Sequence, residues 1–286
     1  MSSTVQRMMN NVANFSSNNR VPATRSREGP FISASRAVET EKHTSSLTPW
    51  HQSKMPLRMK SLRKIRPLLF RLVLPILHYR VKKNADTTVA GLQLGTSSQV
   101  FHPKYFFSSK ILARYLATLI GARQKLLDMG TGSGVIGIMA AKHGAEVLAV
   151  DLNPSAVALA IANARRHGLH GHWRCLQSDL FAHLDPAERF DWIVFNPPYF
   201  PNRVQRPAQA AWHAGENYET IERFLAQAQS FLVPHGKIVL ILSSDMPLSL
   251  LHDKFRHCGY DVIAHAAKPH LFEIFHLLQL QRSDGK

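Results

Sequence analysis

The sequence is short of acid. It carries 19 Asp and Glu against 35 Lys and Arg over 286 residues, a formal net charge of +16. It is also short of cysteine: Cys175 and Cys258 are the only two, and neither sits in a CxxC pair. Two cysteines exclude a disulfide framework and fit a reducing compartment with two buried thiols. Histidine is plentiful, at 16, but no HExxH or Cys/His ligand spacing occurs, so no metal site is expected. No apolar run reaches the ~20 residues that span a bilayer. The best stretch, residues 68–77, is interrupted by Arg71 and Pro75. The N-terminus lacks the basic start, apolar middle and small-residue cleavage site of a signal peptide. It is Ser-, Asn- and Arg-rich with no acid before Glu28. An organelle transit segment, a disordered tail and a misplaced start codon all fit that composition. The expected compartment is cytoplasmic, or mitochondrial in a eukaryote. No internal repeat is visible.

The charge is unevenly placed. Residues 1–85 hold 16 basic and 3 acidic residues, and residues 86–286 hold 19 and 16. The excess is therefore +13 on the first segment and +3 on the second. Residues 1–53 are polar and without periodicity, and read as a disordered tail. Residues 54–85 alternate basic and apolar side chains, with Pro67 and Pro75 breaking any long helix. Two outcomes suit such short amphipathic helices: a cap packed on the main domain, or a contact with nucleic acid or another anionic surface.

From residue 86 short apolar runs alternate with helical patterns. Strands are expected at 125–129, 146–151, 171–177, 190–196, 237–243, 260–266 and 271–281. Helices are expected at 108–120, 135–143, 154–167, 218–232 and 247–258. This alternation predicts an α/β fold: an open, mostly parallel sheet of seven strands, helices on both faces, and an antiparallel last strand.

Two turns carry chemistry. The first is Leu126-Leu127-Asp128-Met129-Gly130-Thr131-Gly132-Ser133-Gly134-Val135-Ile136-Gly137. An apolar strand enters a Gly-rich turn and leaves as a helix, whose first N–H groups face a ligand. Gly132, Gly134 and Gly137 match GxGxxG, the dinucleotide pattern. Asp128 argues against a pyrophosphate, which it would repel, and for a cationic or amine-bearing ligand. The next strand ends in Asp151, placed to accept hydrogen bonds from ribose hydroxyls or to cap the following helix. Asn153-Pro154 supplies its own cap and leaves Asp151 free for the first role. The third strand ends in Gln177-Ser178-Asp179-Leu180-Phe181, an acid–apolar pair suited to an adenine amine and ring, or simply a surface loop.

The second turn is Asn196-Pro197-Pro198-Tyr199, at the end of the apolar run 190–195. Consecutive prolines remove two N–H donors and hold their carbonyls outward. The Asn196 amide oxygen and the Pro197 carbonyl together accept from one planar NH2 group, and Tyr199 offers a ring for stacking. The site suits an amide or an aromatic exocyclic amine.

Taken in order, Asp128–Gly134, Asp151, Asp179 and Asn196–Tyr199 resemble the class I S-adenosylmethionine-dependent methyltransferases. The NPPY tetrapeptide is similar to the amino-methylating branch: HemK-like glutamine methyltransferases of release factors, small-domain RNA guanine methyltransferases and DNA adenine methyltransferases. The resemblance covers residues 95–281. It implies a Rossmann-like fold and S-adenosyl-L-methionine as cofactor. By resemblance, Asp128 with Gly130, Thr131, Gly132 and Gly134 holds the methionine moiety, and Asp151 the ribose. Asp179 meets the adenine amine, with Leu180 or Leu152 on the ring. Asn196, Pro197, Pro198 and Tyr199 receive the substrate nitrogen. Phe101, in Val100-Phe101-His102-Pro103, matches a Phe-x-Pro segment that covers the cofactor. His102 and His213 are candidate proton acceptors, though lone histidines are more often structural. The expected partner is a protein substrate, with a release factor among the candidates, or RNA or DNA.

Overall fold

The computed structural model describes residues 50–52, 86–100, 107–202, 213–270 and 273–283. The expectations for residues 1–49 and 53–85 lie outside those residues.

A small hairpin comes first: β1 (Thr87–Val89) and β2 (Leu92–Leu94) pair antiparallel through Ala90 and Gly91. Both turn residues have positive φ, 51° and 86°, the two-residue turn whose twist matches its strands. The large sheet follows with β3 (Lys125–Met129), β4 (Glu146–Asp151), β5 (Trp173–Gln177), β6 (Phe190–Phe195), β7 (Leu232–Ser243), β8 (Tyr260–His270) and β9 (Glu273–Arg282). Its order is β5-β4-β3-β6-β7-β9-β8. Neighbours are parallel except where β9 pairs antiparallel with β7 and with β8. The expected α/β architecture is confirmed, including the antiparallel final strand.

The helices are α1 (Phe107–Leu116), α2 (Val135–Lys142), α3 (Pro154–Arg166), α4 (Glu219–Ala228) and α5 (Leu248–His257). Strand alternation divides the core into two layers. Leu126, Val147 and Val194 face Leu112, Ile138 and Ala160 of α1, α2 and α3. Leu127, Leu148 and Ile193 face Phe224 and Leu251 of α4 and α5. Helix α2 is buried at all but one of its residues, so its sequence VIGIMAAK has no polar face to display.

Strand β7 begins at Leu232, five residues before the sequence suggests. Pro234 and Gly236 read as breakers, but the register shift between Phe190 and Trp192 accommodates them. The first helix ends at Leu116 rather than 120. Residues 50–52, the end of the stretch expected to be disordered, form a 3-10 turn. Trp50 there stacks on Phe255 of α5, with ring centroids 6.0 Å apart. Both cysteines are free and half-buried rather than buried.

Candidate functional site

The sheet order reverses between β4-β3 and β6, the switch point where open α/β sheets bind ligands at their strands' C-terminal ends. Met129 and Phe195 are register partners there. Gly130 and Asn196 therefore leave the sheet side by side, about one strand spacing apart (~5 Å). The two turns singled out by sequence share one rim.

On the β3–β4 side the glycine loop is shaped by positive φ at Gly130, Gly132 and Gly134, at 65°, 56° and 85°. Side chains rarely adopt that region, so these positions need glycine. Asp128 lies beneath the loop, fully buried. Its Oδ2 accepts from the Thr131 hydroxyl at 2.6 Å and the Gly137 N–H at 2.9 Å. Its Oδ1 is buried without a hydrogen-bond partner among the described residues. Burial pushes the Asp128 carboxyl up to about 7, with Asp151 adding to the rise and the two hydrogen bonds opposing it. Asp151 accepts from the Gly132 N–H at 2.9 Å and from the Asn153 N–H at 2.9 Å. Its carboxyl is also raised, chiefly by burial. Asn153 caps α3 by accepting from Ser155 N, so Asp151 braces the glycine loop rather than capping the helix. Burial, with the same two carboxylates adding to it, pushes the Cys175 thiol up to about 12, which leaves it protonated and unreactive.

One buried acid, Asp128, and one half-buried acid, Asp151, share this cradle, and among the described residues neither has a basic side chain bonded to it. Such a pair disfavours an anion and favours a ligand that brings positive charge. The ammonium and sulfonium of S-adenosyl-L-methionine fit that requirement. A pyrophosphate does not, which answers the ambiguity of the glycine pattern.

The structure puts the other cofactor candidates at varied depth. Leu152 is half-buried at the end of β4, and Leu180 is 7% exposed with φ of 50°. Asp179 is exposed and pairs with Arg223 of α4 at 3.0 Å. Phe101 and His102 lie outside the described residues.

On the β6 side, Asn196 is half-buried and its amide is pinned at both ends. Nδ2 donates to Ser108 Oγ at 3.1 Å and to Ser109 Oγ at 3.2 Å, both at the start of α1. Oδ1 accepts from the Tyr199 hydroxyl at 2.8 Å. One lone pair of Oδ1 remains. Tyr199 packs against both core layers, and its carbonyl accepts from the Tyr218 hydroxyl at 3.4 Å. Burial holds its phenol above the usual range, and Glu273 adds to the rise. Pro197 and Pro198 are buried. His213 is buried, and its backbone bridges to Phe200 beyond the turn.

Sequence reasoning missed Ser108, Ser109, Arg223 and Tyr218. Serines at a helix start look like ordinary capping residues, and nothing local says that their hydroxyls face a turn 88 positions away.

Comparison with known proteins agrees with this geometry. A model of the family described as "Methyltransferase small domain" matches residues 92–273. A relative in Chromohalobacter salexigens, ribosomal RNA small subunit methyltransferase C, is 35% identical over 55% of this chain and 44% of its own. A release factor glutamine methyltransferase of Gloeobacter violaceus is 29% identical over 52% of this chain and 55% of its own. The chain thus spans about half the length of these relatives. The crystal structure of a ribosomal protein L11 methylase from Lactobacillus delbrueckii subsp. bulgaricus superimposes with a TM-score of 0.51. It is 20% identical over 66% of this chain and 83% of its own, and shares the fold.

Proposed function

The chain belongs to the methyltransferase small-domain family, and on that premise we propose that it transfers a methyl group from S-adenosyl-L-methionine to the side-chain nitrogen of a protein glutamine. The observation that carries the acceptor half is the locked Asn196 amide. Both Nδ2 hydrogens are engaged by Ser108 and Ser109. The lone pair left on the amide is on Oδ1, and together with the Pro197 carbonyl it would present a substrate with acceptors. An NH2 group supplies the two donors that match them; a hydroxyl, a ring nitrogen or a carboxylate does not.

An amide nitrogen is a poor nucleophile because its lone pair is delocalised into the carbonyl. Two acceptors on its N–H groups draw charge onto nitrogen and aim the lone pair away from them. Their preorganisation costs no reorganisation at the moment of reaction. The cofactor supplies a methyl group on a cationic sulfur, a strong electrophile with a neutral thioether as leaving group. Asp128 and Asp151 would hold it from below and beside the glycine loop, while Asn196 holds the acceptor one strand away. Fixing both partners contributes on the order of 7–11 kcal/mol in favourable cases. The nitrogen becomes acidic only as its new bond forms, so it can lose its proton afterwards. No general base is needed, and neither His213 nor Tyr199, whose phenol is held neutral, is required as one.

Tyr199 favours the amide over a nucleobase. Base-modifying enzymes stack the extracted base on aromatic faces. Here the ring packs on the core and its hydroxyl is turned to Asn196, which leaves less of it as a platform. A second reading, methylation of an exocyclic base amine in RNA or DNA, is favoured by the +13 segment of residues 1–85. The test is radiolabelled methyl transfer to a cell lysate treated in parallel with protease and nuclease. Label lost only to protease supports glutamine, and label lost only to nuclease supports the base amine. Label on a small molecule would overturn both.

A further inference from the structure

Helix α3 buries a stripe of Ala156, Ala160 and Ala164, and one polar side chain beside it, Asn163, which is 1% exposed. Asparagine is a poor helix-interior residue because its amide competes with the backbone for hydrogen bonds. A buried amide is tolerated when its groups are paired, and here they are. Oδ1 accepts from the Gly95 N–H at 2.7 Å. Nδ2 donates to the Gly95 carbonyl at 3.2 Å and to the Ser133 carbonyl at 2.9 Å. Gly95 follows strand β2, and Ser133 is inside the glycine loop; neither belongs to a helix or strand. One side chain thus ties the start of a strap, residues 95–100, to the loop itself.

The far end of the strap is fastened to the same helix. Asn153 Nδ2 donates to the Gln99 carbonyl at 2.9 Å, and the Ser155 hydroxyl donates to Gln99 Oε1 at 2.5 Å. Asn153 also bonds the Asp151 carboxylate through its N–H. Val100 follows Gln99, and its Cγ1 would lie 4.0 Å from a Cβ at Gly132, with no other neighbour within 4 Å there among the described residues beyond the adjoining loop residues. Val100 therefore lies against the glycine loop at Gly132, the residue whose N–H donates to Asp151. Gly95 itself is glycine for closeness: a Cβ there would sit 3.3 Å from Asn163 Oδ1.

We infer that Asn163 is a positioning residue for the cofactor, holding the strap 95–100 against the glycine loop so that the cradle keeps its edge. It acts through Ser133 and Gly95, from a buried place outside the cradle. The inference rests on the cofactor reading above. An edge that is held in place around a bound ligand affects its release more than its encounter.

The test is calorimetric titration of the full chain with S-adenosylhomocysteine, with dissociation followed by stopped flow. Asn163→Ala should weaken binding about tenfold or more, mostly through faster dissociation. A control, Leu251→Ala on α5, lowers thermal stability at the opposite layer and should leave affinity within about twofold. The hydrogen-exchange rate of the Gly95 amide should rise in the Asn163 variant and not in the control. If Asn163→Ala does not fold, Gly95→Ala and Gln99→Ala loosen the two fastenings separately and should each weaken binding by several-fold. Unchanged affinity in all strap variants, with the wild type binding normally, overturns this role and leaves the cofactor reading standing. A wild type that does not bind S-adenosylhomocysteine overturns both.

Discussion

The two sides of the rim solve opposite problems. The β3–β4 side buries charge: Asp128 is sealed under the glycine loop with a carboxyl raised to about 7, and Asp151 beside it is raised too. The β6 side, around Asn196, is neutral where it would meet a substrate, built from an amide, two serine hydroxyls, a phenol and two prolines. The difference matches the ligands of a methyl transfer. In the proposed transfer, carboxylates with no basic partner among the described residues would hold a cation, and acceptors that do not ionise would hold a neutral nitrogen. The first half is therefore expected to respond to pH and the second to shape alone.

The largest expected effect separates them outright. Asn196→Ala should lower methyl transfer by about a thousandfold or more, the scale seen when a preorganised transition-state group is removed. Affinity for S-adenosylmethionine should stay within a few-fold by calorimetry. Retained transfer would show that the neutral half does not hold the acceptor.

Asp128→Asn probes the charged half. Folding raises the carboxyl of Asp128 from its unfolded value of 3.8 to about 7, so the folded state binds a proton more tightly. Stability from this group is then greatest below about pH 4, falls as pH rises to about 7, and is level above that. The total is on the order of 4 kcal/mol, at about 1.4 kcal/mol per pH unit over that window. Asp128→Asn should flatten that slope, measured as denaturant stability at pH 5 and pH 8. Cofactor affinity of the wild type should rise with pH over the same window, since the ionised carboxylate suits a cation, and Asp128→Asn should abolish the rise. A variant less stable than wild type at pH 8 would mean that the acid is a structural asset and not a cost of binding.

What the sequence disclosed follows the same division. The glycine loop, Asp151 and the NPPY turn are local: each is a contiguous string whose backbone consequences are carried by its own residues. So are the strand runs at 125–129 and 146–151, which the structure reproduces. The hairpin β1–β2 was not legible because its turn uses Ala90 where Asn or Asp would signal positive φ. The serines of α1 and Asn163 of α3 were not legible for a different reason. Their partners are 88 and 87 positions away for Ser108 and Ser109, and 30 and 68 for Asn163. Such contacts exist only once the layers are assembled.

Those serines give a smaller test. Replacing both Ser108 and Ser109 by Ala leaves Nδ2 of Asn196 without acceptors and lets the amide turn. Transfer should fall about tenfold, with cofactor affinity unchanged. Serine-to-threonine replacement, which keeps the hydroxyls, should recover most of it. A loss of cofactor binding instead would mean that α1 supports the charged half, and the division would blur.

The smallest effect lies at the exposed corner of the charged half. Asp179 pairs with Arg223 at 3.0 Å, with about half of each side chain exposed. An exposed pair of this kind contributes ~0–1 kcal/mol, so Arg223→Ala should barely alter stability. If Asp179 meets the adenine amine, the arginine competes for the same carboxylate, and its removal should leave cofactor affinity unchanged or raise it up to about threefold. Asp179→Ala should lower it several-fold, and the double variant should match Asp179→Ala. Calorimetry on the three variants decides it. Equal losses in Arg223→Ala and Asp179→Ala would instead assign the pair a joint structural role, fixing α4 against the end of β5. The charged half would then comprise Asp128 and Asp151 alone.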